Sequence, residues 1–286
     1  MPVPEIPRRA FLAGTGSVLA GVALAGAGTA AWARTATKRP PLSPLVLSSD
    51  LYASSEPQRL AFAIAKGARY ASGAPARIAV APPGGSEGPV YPTKLHRAGL
   101  PKGRGVYVAE VVLDEPGAWN ALALTQGRRV PFALDVKPQP EAPVVGTAAP
   151  PAASPTLTDT LGVKPICTRR PRCPLHEVSL ADVIGAGAPV AVMFATPALC
   201  QSQYCGPVLD ELLDLRAPFA DRVTFVHVEI YRSNRGAQLA PTVEAWGLPS
   251  EPWLFTIDAA GTIVGRLDGA FGGDEMQAQL EALTHS

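Results

Sequence analysis

The stretch Val190-Ala191-Val192-Met193-Phe194-Ala195-Thr196-Pro197-Ala198-Leu199-Cys200-Gln201-Ser202-Gln203-Tyr204-Cys205-Gly206-Pro207 decides how the chain is read. Its first five residues form a continuous apolar run, the pattern of a strand covered on both faces. Residues 208–215 follow with apolar side chains at helical spacing. Cys200 and Cys205 therefore sit at the joint between a buried strand and a helix, and the loop reads as a redox loop. A cysteine at a helix start gains from unpaired N–H groups and the positive end of the helix dipole, both of which favour the thiolate.

Working outward, residues 223–230 form a second apolar run, reached from the first through the helix. Strand, helix and strand at this spacing predict a parallel βαβ unit. A helix is expected near 238–245, then strands over 253–257 and 263–267 joined by Asp258-Ala259-Ala260-Gly261 as an antiparallel hairpin, and a closing helix over 274–283. A short helix over 179–184 has Ser179 as its N-cap.

The 286 residues suit two domains, and 25 basic against 24 acidic side chains leave a net charge of +1, which speaks against nucleic acid as a partner. The 31 prolines and 27 glycines point to linkers and turn-rich β structure. Between residues 45 and 137 short apolar or alternating runs (45–47, 59–64, 77–80, 106–113, 118–124, 132–136) are separated by turn clusters such as Ala81-Pro82-Pro83-Gly84-Gly85. That spacing predicts an all-β antiparallel sandwich of about 90 residues. Its one histidine, His96, reads as a surface residue. Residues 138–155, rich in Pro and Ala, read as an extended linker without a core, and 156–286 as the second domain.

The four cysteines form two close pairs, and compartment governs their meaning: an exported chain makes disulfides, a cytosolic one more often binds metal. Pro7-Arg8-Arg9-Ala10-Phe11-Leu12 resembles the twin-arginine (Tat) export motif. An Ala/Gly/Val/Leu run over 13–33 follows, ending in the A-x-A-like Ala31-Trp32-Ala33. It reaches the roughly 20 residues that span a bilayer. Residues 1–33 are thus expected to be a Tat signal, cleaved or kept as an anchor, with 34–44 a tether. The mature chain is expected to be extracytoplasmic, membrane-anchored or cell-envelope associated.

In that setting Cys167 and Cys173, with a five-residue gap containing Pro171 between them, are expected to form a structural disulfide. Two alternatives stay open: a metal site that includes His176, and a second redox pair relaying electrons to Cys200/Cys205. Arg169, Arg170 and Arg172 would lower the thiol pKa values if the cysteines were free.

Trp246-Gly247-Leu248-Pro249-Ser250-Glu251-Pro252-Trp253-Leu254-Phe255-Thr256-Ile257-Asp258, together with the cysteine loop, resembles the TlpA/redoxin branch of the thioredoxin-like superfamily over roughly residues 175–284. The resemblance implies an α/β thioredoxin-like fold, with Pro252 as the cis-proline against the active-site sulfurs. Where the family keeps a buried carboxylate for proton relay this chain has Met193, and Glu251 and His227 are candidate substitutes, although His227 reads first as a satisfied core residue. The Cys-x4-Cys spacing departs from the family's Cys-x-x-Cys and leaves two registers. In one, Cys200 is the nucleophile and Cys205 resolves; in the other, Cys205-Gly206-Pro207 overlays the family's Cys-Gly-Pro and Val208 replaces the resolving cysteine. The six residues from Phe194 to Cys200 favour the first.

Cys-x4-Cys-Gly also resembles peroxiredoxins of the bacterioferritin-comigratory type. Pro197 stands where those carry threonine, and Pro252 where they carry arginine, so disulfide exchange is better supported than thiol peroxidase activity. In the first half, Gly105-Val106-Tyr107-Val108-Ala109-Glu110 and Pro116-Gly117-Ala118-Trp119 resemble the last hairpin of immunoglobulin-like modules of the FixH/YtkA type, which implies a membrane-side accessory role.

The expected function is extracytoplasmic thiol–disulfide exchange with protein thiols and disulfides of exported or membrane proteins, fed by a membrane reductant and needing no cofactor. The alternatives are a Sco-like copper chaperone binding through Cys200 and Cys205, and a thioredoxin-fold binding module with a fixed Cys200–Cys205 bridge. Sco-like proteins use Cys-x3-Cys and a late-loop histidine; here the gap is one longer and His285 is too terminal. Five residues along a regular helix rise about 7.5 Å and turn about 140°. Disulfide Cα atoms must lie within about 7 Å. Either the helix start unwinds on oxidation or Cys200 lies outside it, and a redox-sensitive helix terminus is expected.

Overall fold

The computed structural model describes residues 42–67, 69–70, 73–200, 202–236 and 238–285. The export motif, the run over 13–33 and nearly all of the 34–44 tether lie outside the described residues. Among those described, no helix is long and apolar enough to cross a membrane.

Nine strands come first: β1 (Leu42–Val46), β2 (Ser54–Lys66), β3 (Arg69–Tyr70), β4 (Ala76–Ala81), β5 (Val90–Pro92), β6 (Lys94–His96), β7 (Val106–Leu113), β8 (Gly117–Thr125) and β9 (Arg128–Val136). They form two antiparallel sheets, β1-β2-β7-β6 with β3 on β2, and β5-β4-β8-β9. Alternation builds the space between them: along β8, Trp119, Ala121, Ala123 and Thr125 point inward while the residues between do not. They meet Leu60, Phe62 and Ile64 of β2, Ile78 and Val80 of β4 and Tyr107 of β7 in one core, so this half is a β-sandwich. The sequence reading missed β3, β5 and β6, which are short, polar or proline-bearing. His96 is not a surface residue: it is 4% exposed and its Nδ1 lies 2.9 Å from Asp274.

Residues 138–155 contain no strand or helix, as expected of a linker, yet they are packed rather than free. Ala142, Ala149 and Ser154 are buried, and the segment exchanges backbone hydrogen bonds with Gly261 and Ile263. The segment therefore runs along the second half of the chain as a strap.

That half consists of α1 (Leu180–Val183), β10 (Val190–Phe194), α2 (Cys205–Leu215), β11 (Thr224–Val228), α3 (Pro241–Ala245), β12 (Trp253–Ile257), β13 (Ile263–Asp268) and α4 (Gly273–His285). The sheet order is β11-β10-β12-β13, with β10 and β11 parallel and the other pairs antiparallel. Alternate residues of β10 serve opposite cores. Ala191 and Met193 pack with Leu209, Leu212, Met276 and Leu280 of α2 and α4, whereas Val190, Val192 and Phe194 pack with Leu180, Val243 and Trp246 on the α1/α3 side. Cover on both faces is why β10 reads as an unbroken apolar run. β11 is an edge strand, and there the loop before α1 takes the place of a neighbour: Leu175 O accepts the His227 N–H at 2.9 Å.

The described residues form one compact unit, and the two halves are locked by buried charge. The Asp50 carboxylate, fully buried, accepts the N–H groups of Glu141 (3.0 Å) and Ala142 (3.1 Å), Lys137 Nζ (3.2 Å) and Arg266 Nη2 (2.8 Å). Arg59 of β2 reaches Glu275 at 2.8 Å and the carbonyl of Ala270 at 2.7 Å. Leu47 O presses so close to Gly269 that a Cβ there would lie 1.7 Å away. Only glycine fits this joint.

Candidate functional site

The cysteine-bearing loop leaves β10 at Ala195 and turns at once, with the N–H groups of Leu199 and Cys200 donating to Thr196 O. Helix α2 begins at Cys205, so Cys200 lies outside it. Of the two expected arrangements this is the second, with closure of the pair drawing on the loop between the two cysteines. Gly206 and Pro207, read as loop, are the second and third residues of α2, where proline is tolerated because those N–H groups have no helical partner. The Cys200 and Cys205 sulfurs and a Glu251 carboxylate oxygen all lie within 4.8 Å of one another. Glu251 precedes Pro252 through a cis peptide bond.

The two thiols have unlike surroundings. Cys200 is partly exposed, and its sulfur takes the Cys205 N–H at 3.3 Å and lies 3.1 Å from Ser202 Oγ. The Cys205 thiol, these donors and the Tyr204 N–H together lower the Cys200 pKa to about 5, against the opposing pull of burial. Cys205 is fully buried, and burial followed by the Cys200 charge pushes its thiol far up. Glu251 is raised to about 7 by burial and by the charge on Cys200, and Tyr231 Oη lies 3.4 Å from it.

The sandwich also reaches this loop. Arg104 donates to Ser202 O (3.2 Å) and Gln203 Oε1 (2.7 Å), and its guanidinium stands 5.3 Å from the Tyr204 ring centre. Gln203 has φ of 62°, in the left-handed region, and its side chain is one that Arg104 holds. Tyr204 is buried with Ala61, Val106 and Ala270, so both halves of the chain anchor the segment between the two cysteines.

The second cysteine pair departs from expectation. All four cysteines are free, and Cys167 Sγ stands 3.8 Å from Cys173 Sγ, far beyond the ~2.05 Å of a disulfide. The expected bridge is absent, and the sulfurs instead face two imidazoles. His227 Nδ1 lies 3.4 Å from Cys173 Sγ and 3.8 Å from Cys167 Sγ, and His176 Nε2 lies 3.2 Å from Cys173 Sγ and 3.2 Å from His227 Nδ1. His227 is thus remote in role from Cys200: of the two candidate relays, the structure places Glu251 beside the Cys200/Cys205 pair and gives His227 to this cluster. The Cys173 thiol is pushed up by its contact with Cys167 and by burial, while Cys167 is lowered, first by the hydrogen bond from Cys173. The sequence reading weighed His176 with these cysteines. It missed His227, whose one signal is a polar residue inside an otherwise apolar strand.

No family model matches the chain, and no curated protein matches it. Solved structures similar to it include a Chlorobium tepidum protein described as a thiol:disulfide interchange protein DsbE, at 16% identity and TM-score 0.35, covering 49% of this chain and 99% of that one. A thiol:disulfide interchange protein of the thioredoxin family from Chlorobium tepidum TLS matches at 17% and 0.33, covering 50% and 99%. A thioredoxin-like superfamily protein matches at 17% and 0.31, covering 38% and 87%. The thioredoxin-like fold of the second half is carried by its own strand order and by the βαβ and ββα units that build it.

Proposed function

We propose that the chain is an extracytoplasmic thiol–disulfide oxidoreductase in which Cys200 attacks and Cys205 resolves. The observation that carries this reading is the asymmetry of the pair: a partly exposed sulfur among hydrogen-bond donors, with a pKa lowered to about 5, beside a fully buried thiol and a carboxyl raised to about 7. The Cys200 thiolate attacks one sulfur of a substrate disulfide, forming a mixed disulfide and releasing the other sulfur as thiolate. Glu251, ionised at neutral pH in about half of the molecules, accepts the Cys205 proton. The Cys205 thiolate then attacks Cys200 Sγ and expels the second substrate sulfur. Two electrons pass to the substrate and Cys200–Cys205 is left oxidised, for a membrane reductant to restore.

The substrates in this reading are disulfides of exported or membrane proteins, and the Tat-like N-terminus supports the location. The sandwich fits an immunoglobulin-like accessory module that steadies the redox loop through Arg104 and Tyr204. A copper-handling role through Cys200 and Cys205 has less support, since the third group beside them is a carboxylate, a poor ligand for Cu(I).

The deciding measurement is the reduction potential of Cys200/Cys205 in glutathione buffers, read by mass spectrometry with and without Cu(I). A potential above about −300 mV that Cu(I) leaves unchanged is expected. A lower value would mark an inert bridge, and tight Cu(I) uptake would replace the oxidoreductase with a metal carrier.

A further inference from the structure

The Cys167/Cys173 cluster takes no part in the chemistry above, yet it is the most enclosed set of reactive side chains among the described residues. Cys167 is 7% exposed, Cys173 and His176 are 1%, and His227 is 0%. Four lone-pair-bearing atoms converge there: two sulfurs, His176 Nε2 and His227 Nδ1, all within 4.8 Å of one another. The His227 tautomer is fixed from outside, because its Nε2 lies 3.0 Å from Ala195 O and a carbonyl can only accept. The proton therefore sits on Nε2, and Nδ1 turns a bare lone pair toward the sulfurs. Packing these atoms together in a dry interior needs something positive between them, shared protons or a metal ion.

The spacing identifies that something. Zinc bonds of about 2.3 Å to sulfur and about 2.0 Å to nitrogen, set tetrahedrally, place the ligand atoms about 3.8 Å apart for S–S, about 3.5 Å for S–N and about 3.3 Å for N–N. Here S–S is 3.8 Å, N–N is 3.2 Å, and the three S–N separations at hand are 3.2, 3.4 and 3.8 Å. Five of the six edges thus match a metal-sized tetrahedron, and the sixth, Cys167 Sγ to His176 Nε2, is within 4.8 Å. The surroundings fit as well: the Ala195 carbonyl orients His227, and the Leu175 N–H donates to Cys173 Sγ. Two thiolates and one divalent zinc sum to zero charge, which a buried site requires.

We propose that Cys167, Cys173, His176 and His227 form a structural zinc site. Four protein ligands close the coordination sphere and leave no position for a substrate, so the metal's role is to hold the chain. What it holds is specific. The loop carrying Cys167, Cys173 and His176 is pinned across the β11 edge, Thr168 Oγ1 accepts the Ala198 N–H at 3.1 Å, and His227 grips Ala195. Residues 195 and 198 are the base of the redox loop, so the zinc site braces that loop from behind.

This assignment stands apart from the redox reading and is tested without it, on the full chain carrying Cys200→Ser and Cys205→Ser so that the redox pair neither binds metal nor exchanges disulfides. Purified under reducing conditions, this protein should hold about one zinc per chain by elemental mass spectrometry after dialysis against a weak chelator, and the further substitution Cys173→Ser should bring that to near zero. Because such a variant can fail to fold, the metal-stripped background protein is also titrated with Co2+. A one-to-one endpoint with the visible bands of tetrahedral, thiolate-ligated cobalt is expected. The proposal is overturned by unchanged zinc in the Cys173→Ser variant, by a background protein that takes up neither zinc nor cobalt, by binding of Cu(I) with exclusion of zinc, or by a Cys167–Cys173 linked peptide in the freshly purified protein.

Discussion

The two cysteine clusters lie within one half of the chain and touch the same loop, yet their sulfurs meet opposite partners. Cys200 faces donors: a backbone N–H at 3.3 Å and a hydroxyl at 3.1 Å. Cys167 and Cys173 face the ring nitrogens of two imidazoles at 3.2 to 3.8 Å. Donors stabilise a thiolate that still has room to attack, whereas two sulfurs and two imidazole nitrogens gathered in the interior form the donor set of a metal ion. Exposure follows the same division, since Cys200 opens to solvent and the other cluster does not. The environment of each sulfur, more than its spacing to the next cysteine, separates a redox pair from a metal site.

The comparison breaks most sharply at Cys200. Cys200→Ser should cut disulfide exchange with a model substrate by on the order of 10³-fold or more, since no other exposed thiol among the described residues can start the reaction. Cys205→Ser should leave the first attack intact and accumulate a mixed disulfide, seen as a mass adduct. In the wild-type protein, alkylation of Cys200 should rise through pH 5 and level off above it, because the thiol loses its proton there. A midpoint near the ordinary thiol value of about 8.5 would remove the basis for the assigned nucleophile.

At the other cluster the expected change is in stability. Cys173→Ser strips one corner of a buried charged set and should cost about 3–5 kcal/mol. In a chain of this size that lowers Tm by about 10 °C, measured calorimetrically on reduced protein. Exchange activity below the new Tm should fall by less than about tenfold, because Cys200 keeps its own donors. An equal loss of activity and zinc would show that the two clusters are one site.

Much of this was legible in the chain, and the reasons are physical. β10 and β12 are recognisable to the residue because burial on both faces leaves an unbroken apolar run. The sandwich strands β7 and β8 follow from alternation between a core and solvent. Short edge strands such as β5 and β6 lack a full period, and α2 starts three residues before the apolar pattern does. The bridge expected between Cys167 and Cys173 rested on compartment and spacing, and spacing is blind to what lies across space. His227 joins that cluster only because the loop before α1 wraps the β11 edge, a tertiary contact that no local pattern encodes.

A finer separation of the clusters comes from Glu251, which lies beside the redox pair and takes no part in the other. Burial and the Cys200 thiolate raise its pKa to about 7, so the carboxyl is uncharged where Cys200 titrates, near 5. Glu251→Gln should therefore leave the alkylation midpoint of Cys200 near pH 5. The same variant should slow decay of the mixed disulfide at neutral pH, because Cys205 then has no base for its proton. A carboxyl that only fills space would leave that decay unchanged.

The smallest effect should come from a hydrogen bond between the loop of Cys167 and the loop of Cys200. Thr168 follows Cys167, its N–H is held by the buried Glu229 carboxylate, and its Oγ1 accepts the Ala198 N–H at 3.1 Å. Thr168→Val keeps the shape and removes that acceptor, leaving the Ala198 N–H to water at a partly exposed site. The loss is expected to be about 0.5–1.5 kcal/mol of local stability. Zinc content should be unchanged, since no ligand is touched, while amide exchange at residues 198–200 should quicken. If zinc anchors the base of the redox loop through this contact, removing the metal from the Thr168→Val variant should alter Cys200 alkylation less than removing it from the wild-type protein. Equal responses would mean that the zinc site reaches the loop by other contacts, such as the Ala195 carbonyl on His227.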